Sequence, residues 1–168
     1  MESYNIDACS LIYLTKINFK ERLLKNLKII ITNTVKCELL ADLSKYQDAK
    51  IINSNIVAQK IEIKDIENVS TKLNFLGKGE AESIENALRN KYPLICDDIQ
   101  AIKYAKKQDL TVITTEIVLL NFLRSKWITD NEFSTFFHQL ARIKSLNPEI
   151  IDYIKQKSEE LPNKGAEG

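Results

Sequence analysis

Carboxylates are the residues of this sequence best placed to do chemistry. Asp7 sits inside the apolar run Ile6-Asp7-Ala8-Cys9-Ser10-Leu11-Ile12, where a charge needs a partner or a cation. Glu38, Glu80 and the adjacent pair Asp97-Asp98 stand far from it in the chain. Other chemistries lack their residues. His138 is the single histidine, which removes H-E-x-x-H zinc sites and, unless it is the base itself, Ser/His and Cys/His hydrolysis. The four glycines, Gly77, Gly79, Gly165 and Gly168, allow neither a G-x-G-x-x-G turn nor a G-x-x-x-x-G-K-[ST] loop. Four or more carboxylates gathered at one place would repel, and a divalent cation resolves the conflict. Mg²⁺ and Mn²⁺ prefer oxygen ligands and need no imidazole or thiolate, and the reaction such a centre supports is phosphodiester hydrolysis.

The elements that must position these acids are legible as alternating short apolar runs and longer helical patterns, which predict an α/β fold with a mostly parallel sheet. Strands are expected over 4–7, 28–31, 94–96 and 111–114, with a further one, at an edge, over 56–63. Helices are expected over 10–17, 19–25, 34–43, 80–90, 99–108 and 117–126. In an open parallel sheet, ligands collect beyond the carboxyl ends of the strands. Asp7, Glu38, Glu80, Asp97 and Asp98 all fall there. Each has an ordinary explanation as well: Asp97 or Asp98 as a helix N-cap, Glu80 as a first-turn acid favoured by the helix dipole. Glu82 and Glu85 are expected to leave at least one carboxylate in solvent, and Asp42, Asp48, Asp65 and Asp109 read as solvated charges.

After Trp127 the pattern becomes purely helical. Thr129 and Glu132 form a T-x-x-E capping box ahead of an apolar stripe of Phe133, Phe136, Phe137, Leu140 and Ala141, and Asn147-Pro148 opens a last helix to about residue 160. The expected organisation is a catalytic domain over 3–126, a helical extension packed on it over 127–160, and a disordered tail over 161–168. With 24 basic against 23 acidic residues the chain has no overall field to attract a polyanion, so phosphate binding must be local, with Lys16, Lys78, Lys103 and Arg124 as candidates. Cys9, Cys37 and Cys96 are odd in number and lack a C-x-x-C pair, which fits a reducing cytoplasm and small buried residues. No leader-like or membrane-spanning stretch is read.

The segments IDACSLIYL, TNTVKCELL, LGKGEAESIENAL and LICDDIQAIKYAKKQDLTVITT, in this order and spacing, resemble the PIN-domain nucleases, in particular the branch with a G-E-A-E helix start. The likeness spans roughly residues 3–125, and FFHQLARIKSLNPEIIDYI resembles the C-terminal end of that branch. It implies a Rossmann-like α/β/α sandwich. It further implies that Asp7, Glu38, Glu80 and one or both of Asp97 and Asp98, Asp97 first, hold Mg²⁺ or Mn²⁺. Thr115 matches a threonine able to hydrogen-bond a metal-bound water or a phosphate oxygen. Small stand-alone domains of this kind are similar to toxins of toxin–antitoxin pairs, so the resemblance implies an RNA substrate, an antitoxin protein over the acidic groove and a homodimer through the N-terminal helices.

Two departures bear on activity. Cys9 occupies the place of a Ser or Thr, with Ser10 following, and the G-T-x-G pattern after the last strand is replaced by Thr114-Thr115-Glu116-Ile117. A hydroxyl beside the metal is thereby at stake, and Glu116 either joins the site or crowds it. These departures are the argument for the alternative, a PIN-like binding module without turnover. A metal-dependent phosphatase on another Rossmann-like fold is the second rival, and it would want a second aspartate two residues after Asp7.

Overall fold

The computed structural model describes residues 1–161. The strands are β1 (Ser3–Ile6), β2 (Lys28–Thr32), β3 (Ile61–Lys64), β4 (Leu94–Ile95) and β5 (Val112–Ile113). All pair in parallel, in the order β3-β2-β1-β4-β5. Between them run α1 (Ala8–Lys16), α2 (Lys20–Asn26), α3 (Asn33–Leu40), α4 (Gln47–Val57), α5 (Lys78–Asn90) and α6 (Ile99–Lys107), followed by α7 (Thr115–Arg124), α8 (Asp130–Lys144) and α9 (Pro148–Glu159). The fold is the expected α/β sandwich. β2 and β3 step outward from one side of β1, β4 and β5 from the other. Right-handed crossovers therefore send their connecting helices to opposite faces. Connections also diverge on either side of the β1–β4 junction, which makes it the topological switch point.

β1 and β2 are buried because the Ile29, Ile30 and Ile31 run and Ile6 need cover on both faces. α5 packs on β1 and β2, and α3 packs against both α1 and α5. Under α5 and α6 lies a core of Leu73, Ala81, Ile84, Ala87, Leu94, Cys96 and Ala101. Asn5, fully buried in β1, receives a hydrogen bond from Asn86 Nδ2 and donates to the Ser83 carbonyl, both at 2.8 Å. This pair of bonds ties α5 to the strand that ends at Asp7.

The chain forms two compact units, Met1–Thr115 and one beginning at Glu116. In the second, Thr129 and Glu132 form the capping box, Asn147 accepts from the Glu149 N–H ahead of α9, and the Phe133 and Phe137 rings stack at 5.6 Å. Phe136 and Ala141 are half-buried, and His138 is exposed. The expected tail lies, from residue 162 onward, outside the described residues. No helix among the described residues is long and apolar enough to cross a membrane.

One expected strand is corrected. The stretch 56–63 is not a single strand, because Ile56 and Val57 close α4, and only Ile61–Lys64 joins the sheet as β3, at the edge. α4 itself has no counterpart in the sequence reading. Its buried residues, Ala49, Ile52 and Asn55, recur every third position, but the intervening asparagine, serine and β-branched residues have modest helix propensity.

Candidate active site

Strand register brings Asp7, Asp97 and Thr115 to one end of the sheet. Ile6 pairs with Ile95, and Ile95 with Ile113, so Thr115 is level with Asp97 across neighbouring strands. The Asp7 N–H donates to the Ile95 carbonyl at 3.2 Å, which continues the β1–β4 ladder to Asp7 itself. Asp7 then N-caps α1, its Oδ1 accepting from the Ser10 N–H at 2.8 Å. Asp97 accepts two bonds of 2.9 Å from Thr115, one from its N–H and one from its hydroxyl. The Ser10 hydroxyl donates to the same carboxylate at 3.3 Å. Ser10 thus touches both aspartates, its backbone on Asp7 and its hydroxyl on Asp97. The hydroxyl that Cys9 cannot offer is supplied one residue later.

Glu38 and Glu80 arrive from the helices. α5 begins at Gly77 with no side-chain cap, so the N–H groups of its first turn are open to an outside acceptor. Glu38, on α3, fills one of them, accepting from the Gly79 N–H at 3.2 Å. Gly79 is required for space: a β-carbon there would lie 2.6 Å from Glu38 Oε1 and closer still to Oε2. One at Gly77 would collide with the Glu80 carboxylate. Both clashes fall on flexible side-chain ends. Gly79→Ala is therefore expected to keep the fold, with little change in thermal midpoint, while displacing Glu38 and lowering activity by roughly 10- to 100-fold, as loss of a supporting contact to a ligand does. Paired melting curves and turnover rates check this.

The charges of these groups are felt in common. Burial raises the pKa of Asp7, which is only 3 % exposed, and the Asp97 charge adds to the rise, against hydrogen bonds from Cys96 and Ser10. Partial burial raises Glu38, and the charges of Glu80, Asp7 and Glu82 push it further. Cys9 is raised first by burial and then by Asp7, Glu80, Glu38 and Asp97 in turn. The four carboxylates therefore share one neighbourhood around that thiol. Asp98 stands differently: it is exposed and N-caps α6, with its Oδ1 accepting from the Ala101 N–H at 2.7 Å.

Four other side chains, Glu82, Glu85, Cys9 and Cys37, are placed otherwise than the sequence suggests. Glu82 is buried, 6 % exposed, and accepts a 2.7 Å bond from the Thr34 hydroxyl of α3. Glu85 is engaged with the Ser70 N–H and Arg89, so neither glutamate is left to solvent. Glu116 is buried in an ion pair with Lys144, which occupies the carboxylate that replaces the glycine pattern. Cys9 and Cys37 are exposed and only Cys96 is buried, because the first two lie on outward faces of α1 and α3 rather than in the core.

Asp7, Glu38, Glu80 and Asp97 make an all-oxygen donor set, supported by the hydroxyls of Ser10 and Thr115, and its mutual repulsion suits a hard divalent cation. Among the described residues no three acidic, thiol or imidazole groups already stand at joint ligating distance. The donor chemistry fits Mg²⁺ or Mn²⁺; the coordination geometry is not formed in advance.

A family model described as PIN domain matches residues 4–160. No curated protein matches the chain significantly. Among solved structures the chain is similar to a PilT N-terminus domain protein from the hyperthermophilic archaeon Sulfolobus solfataricus P2, with 19 % identity, a TM-score of 0.52 and coverage of 72 % of this chain and 93 % of that one. It is also similar to VapBC2 from Rickettsia felis bound to a DNA fragment from their promoter, at 20 % identity, TM-score 0.48 and coverage of 67 % and 98 %. The corresponding figures for VapBC-1 from nontypeable Haemophilus influenzae are 16 %, 0.48, 67 % and 98 %.

Proposed function

The chain belongs to the PIN-domain nuclease family, and from that premise we propose that it is a divalent-metal-dependent endoribonuclease of the toxin type, working in the cytoplasm. The observation that carries the reading is that Ser10 bonds both Asp7 and Asp97 across the β1–β4 switch point, while Glu38 accepts from the Gly79 N–H beside Glu80. These four carboxylates would hold Mg²⁺ or Mn²⁺, with Asp98 at their edge. When bound, the ion supplies an acidified water for attack on phosphorus and offsets charge on the leaving oxygen.

The chain's own residues do the positioning. Thr115 and Ser10 fix the Asp97 carboxylate, and three hydrogen bonds to one acidic side chain leave it little rotational freedom. Gly79 fixes Glu38 in the same way from the start of α5. Lys78, at the first position of that helix, and Lys103, on α6, are exposed cations of the first unit that would hold the phosphate backbone, with Lys16 exposed at the end of α1. An antitoxin protein covering the acidic groove follows from the same reading as its expected partner.

The test is incubation of purified protein with labelled single-stranded RNA and DNA in Mg²⁺, Mn²⁺ or EDTA. Cleavage of RNA that requires the metal is expected. Binding without cutting, indifferent to EDTA, would instead identify the binding module that the Cys9 departure allows. The Ser10 hydroxyl on Asp97 argues for turnover.

A further inference from the structure

We infer that Phe75, backed by Tyr104 and flanked by Lys78 and Lys103, is a stacking platform for an unpaired base of a single-stranded nucleic acid. Phe75 is 53 % exposed. Its exposure is built in. Leu73, at the end of a short 3-10 turn, is buried in the core under α5 and α6, and Leu76 packs against that core from the other side of Phe75. The Leu76 N–H donates to the Leu73 carbonyl at 3.0 Å, closing the turn between them. The backbone is thus pinned on both sides of a ring that points outward. The ring meets Tyr104 of α6 in a tilted contact, with centroids 5.8 Å apart and planes inclined at 54°, which steadies it while about half of the residue stays open to solvent.

Position and charge point to a nucleic acid. Phe75 lies two residues before Gly77, whose backbone approaches the Glu80 carboxylate, so the turn that carries the ring leads directly into the acidic group. Beside Tyr104 on α6, Ile99, Lys103 and Lys107 recur at i, i+4 and i+8 and form one exposed stripe, which starts two residues after Asp97. Lys78, three residues after Phe75 and at the start of α5, is exposed as well. Among the described residues none of these three lysines is engaged in an ion pair. An exposed aromatic face with cations around it is the arrangement that holds single strands, because every base has a π-face while the lysines take the phosphates. A duplex has no free base face to offer, which sets the substrate class as unpaired rather than base-paired.

This inference rests on the nuclease reading and is separable from it. A short labelled RNA carrying 2-aminopurine is bound to the full protein in Ca²⁺ or EDTA, with anisotropy reporting affinity and fluorescence quenching reporting stacking. Phe75→Ala is expected to weaken binding about tenfold, within the roughly 5- to 150-fold that one lost base stack costs, and to abolish quenching. Phe75→Tyr is expected to retain both, and the same sequence as a duplex is expected to bind weakly to all three proteins. Unchanged melting of Phe75→Ala verifies the fold. If the wild type cleaves RNA with metal yet Phe75→Ala binds and quenches as the wild type does, the platform is wrong and the nuclease stands. A wild type that neither binds nor cuts RNA overturns both. If the substitution spares RNA binding but abolishes binding of a protein partner, the surface serves that partner and this assignment falls.

Discussion

Asp97→Asn is expected to abolish metal-dependent cleavage, by more than about a hundredfold, without unfolding the protein. Loss of a group that merely supports a metal ligand costs roughly 10- to 100-fold, and Asp97 is proposed as a ligand itself. Its surroundings explain why the fold survives. An asparagine carbonyl can still accept from the Thr115 N–H, and the hydroxyls of Thr115 and Ser10, which now donate to the carboxylate, can rotate to accept from the new amide. The variant also removes one charge from a group of four that repel. Single-turnover cleavage beside a thermal melt distinguishes the two effects. A variant that still cuts at the wild-type rate would remove Asp97 from the ligand set and transfer the weight of the site to Glu38 and Glu80.

The second large effect is on stability. A cation held at about a hundred times its dissociation constant adds about 2.7 kcal/mol to a fold that binds it. For a chain of this length that raises the thermal midpoint by roughly 5–10 °C. In EDTA the repulsion is unrelieved, and its pH dependence has a definite sign. Burial and neighbouring charge hold the pKa values of Asp7 and Glu38 above their ordinary 3.8 and 4.5, so the folded protein binds protons more tightly than the unfolded chain. The contribution of these two groups to stability in EDTA is accordingly greatest below those ordinary values and is lost as pH rises through the raised ones. Asp7→Asn keeps the cap of α1, since asparagine caps as well as aspartate, and removes a buried charge. It is expected to melt higher than the wild type in EDTA at neutral pH and to lose most of the response to Mn²⁺. Differential scanning fluorimetry across pH, with and without metal, reads both. A wild type indifferent to either ion at saturating concentration would remove the metal centre.

Residues with strong local signals were the legible ones. Asp7 declared itself as a charge in an apolar run, and the strand-end position of Asp97 and the helix-start position of Glu80 followed from periodicity that needs no tertiary knowledge. Glu82 was not legible, because it stands two positions after Glu80 and a helix turns them to different sides. Only the position of α3, with the Thr34 hydroxyl waiting, decides which side is buried. α4 was hidden for a related reason: its helix is stabilised by burying Ala49 and Ile52, not by residues that favour helix on their own. The exposed Cys9 and Cys37 show the limit of average behaviour, since cysteine is usually interior and these two face outward beside acids. The Ser10 substitution for the displaced hydroxyl was visible as a neighbouring residue but not as a contact, which required the register of β1 against β4.

That register has a consequence for the birth of the protein. β1 and its aspartate are made first, yet the strand that pairs with β1 on the switch-point side, and the threonine that steadies Asp97, are encoded about a hundred residues later. At about 5–20 residues per second, Asp7 waits roughly 5–20 s on the ribosome before Asp97 and Thr115 emerge to complete its surroundings. The surroundings of Asp7 are therefore incomplete through most of the synthesis of the first unit, and they close only when its last residues have cleared the exit tunnel.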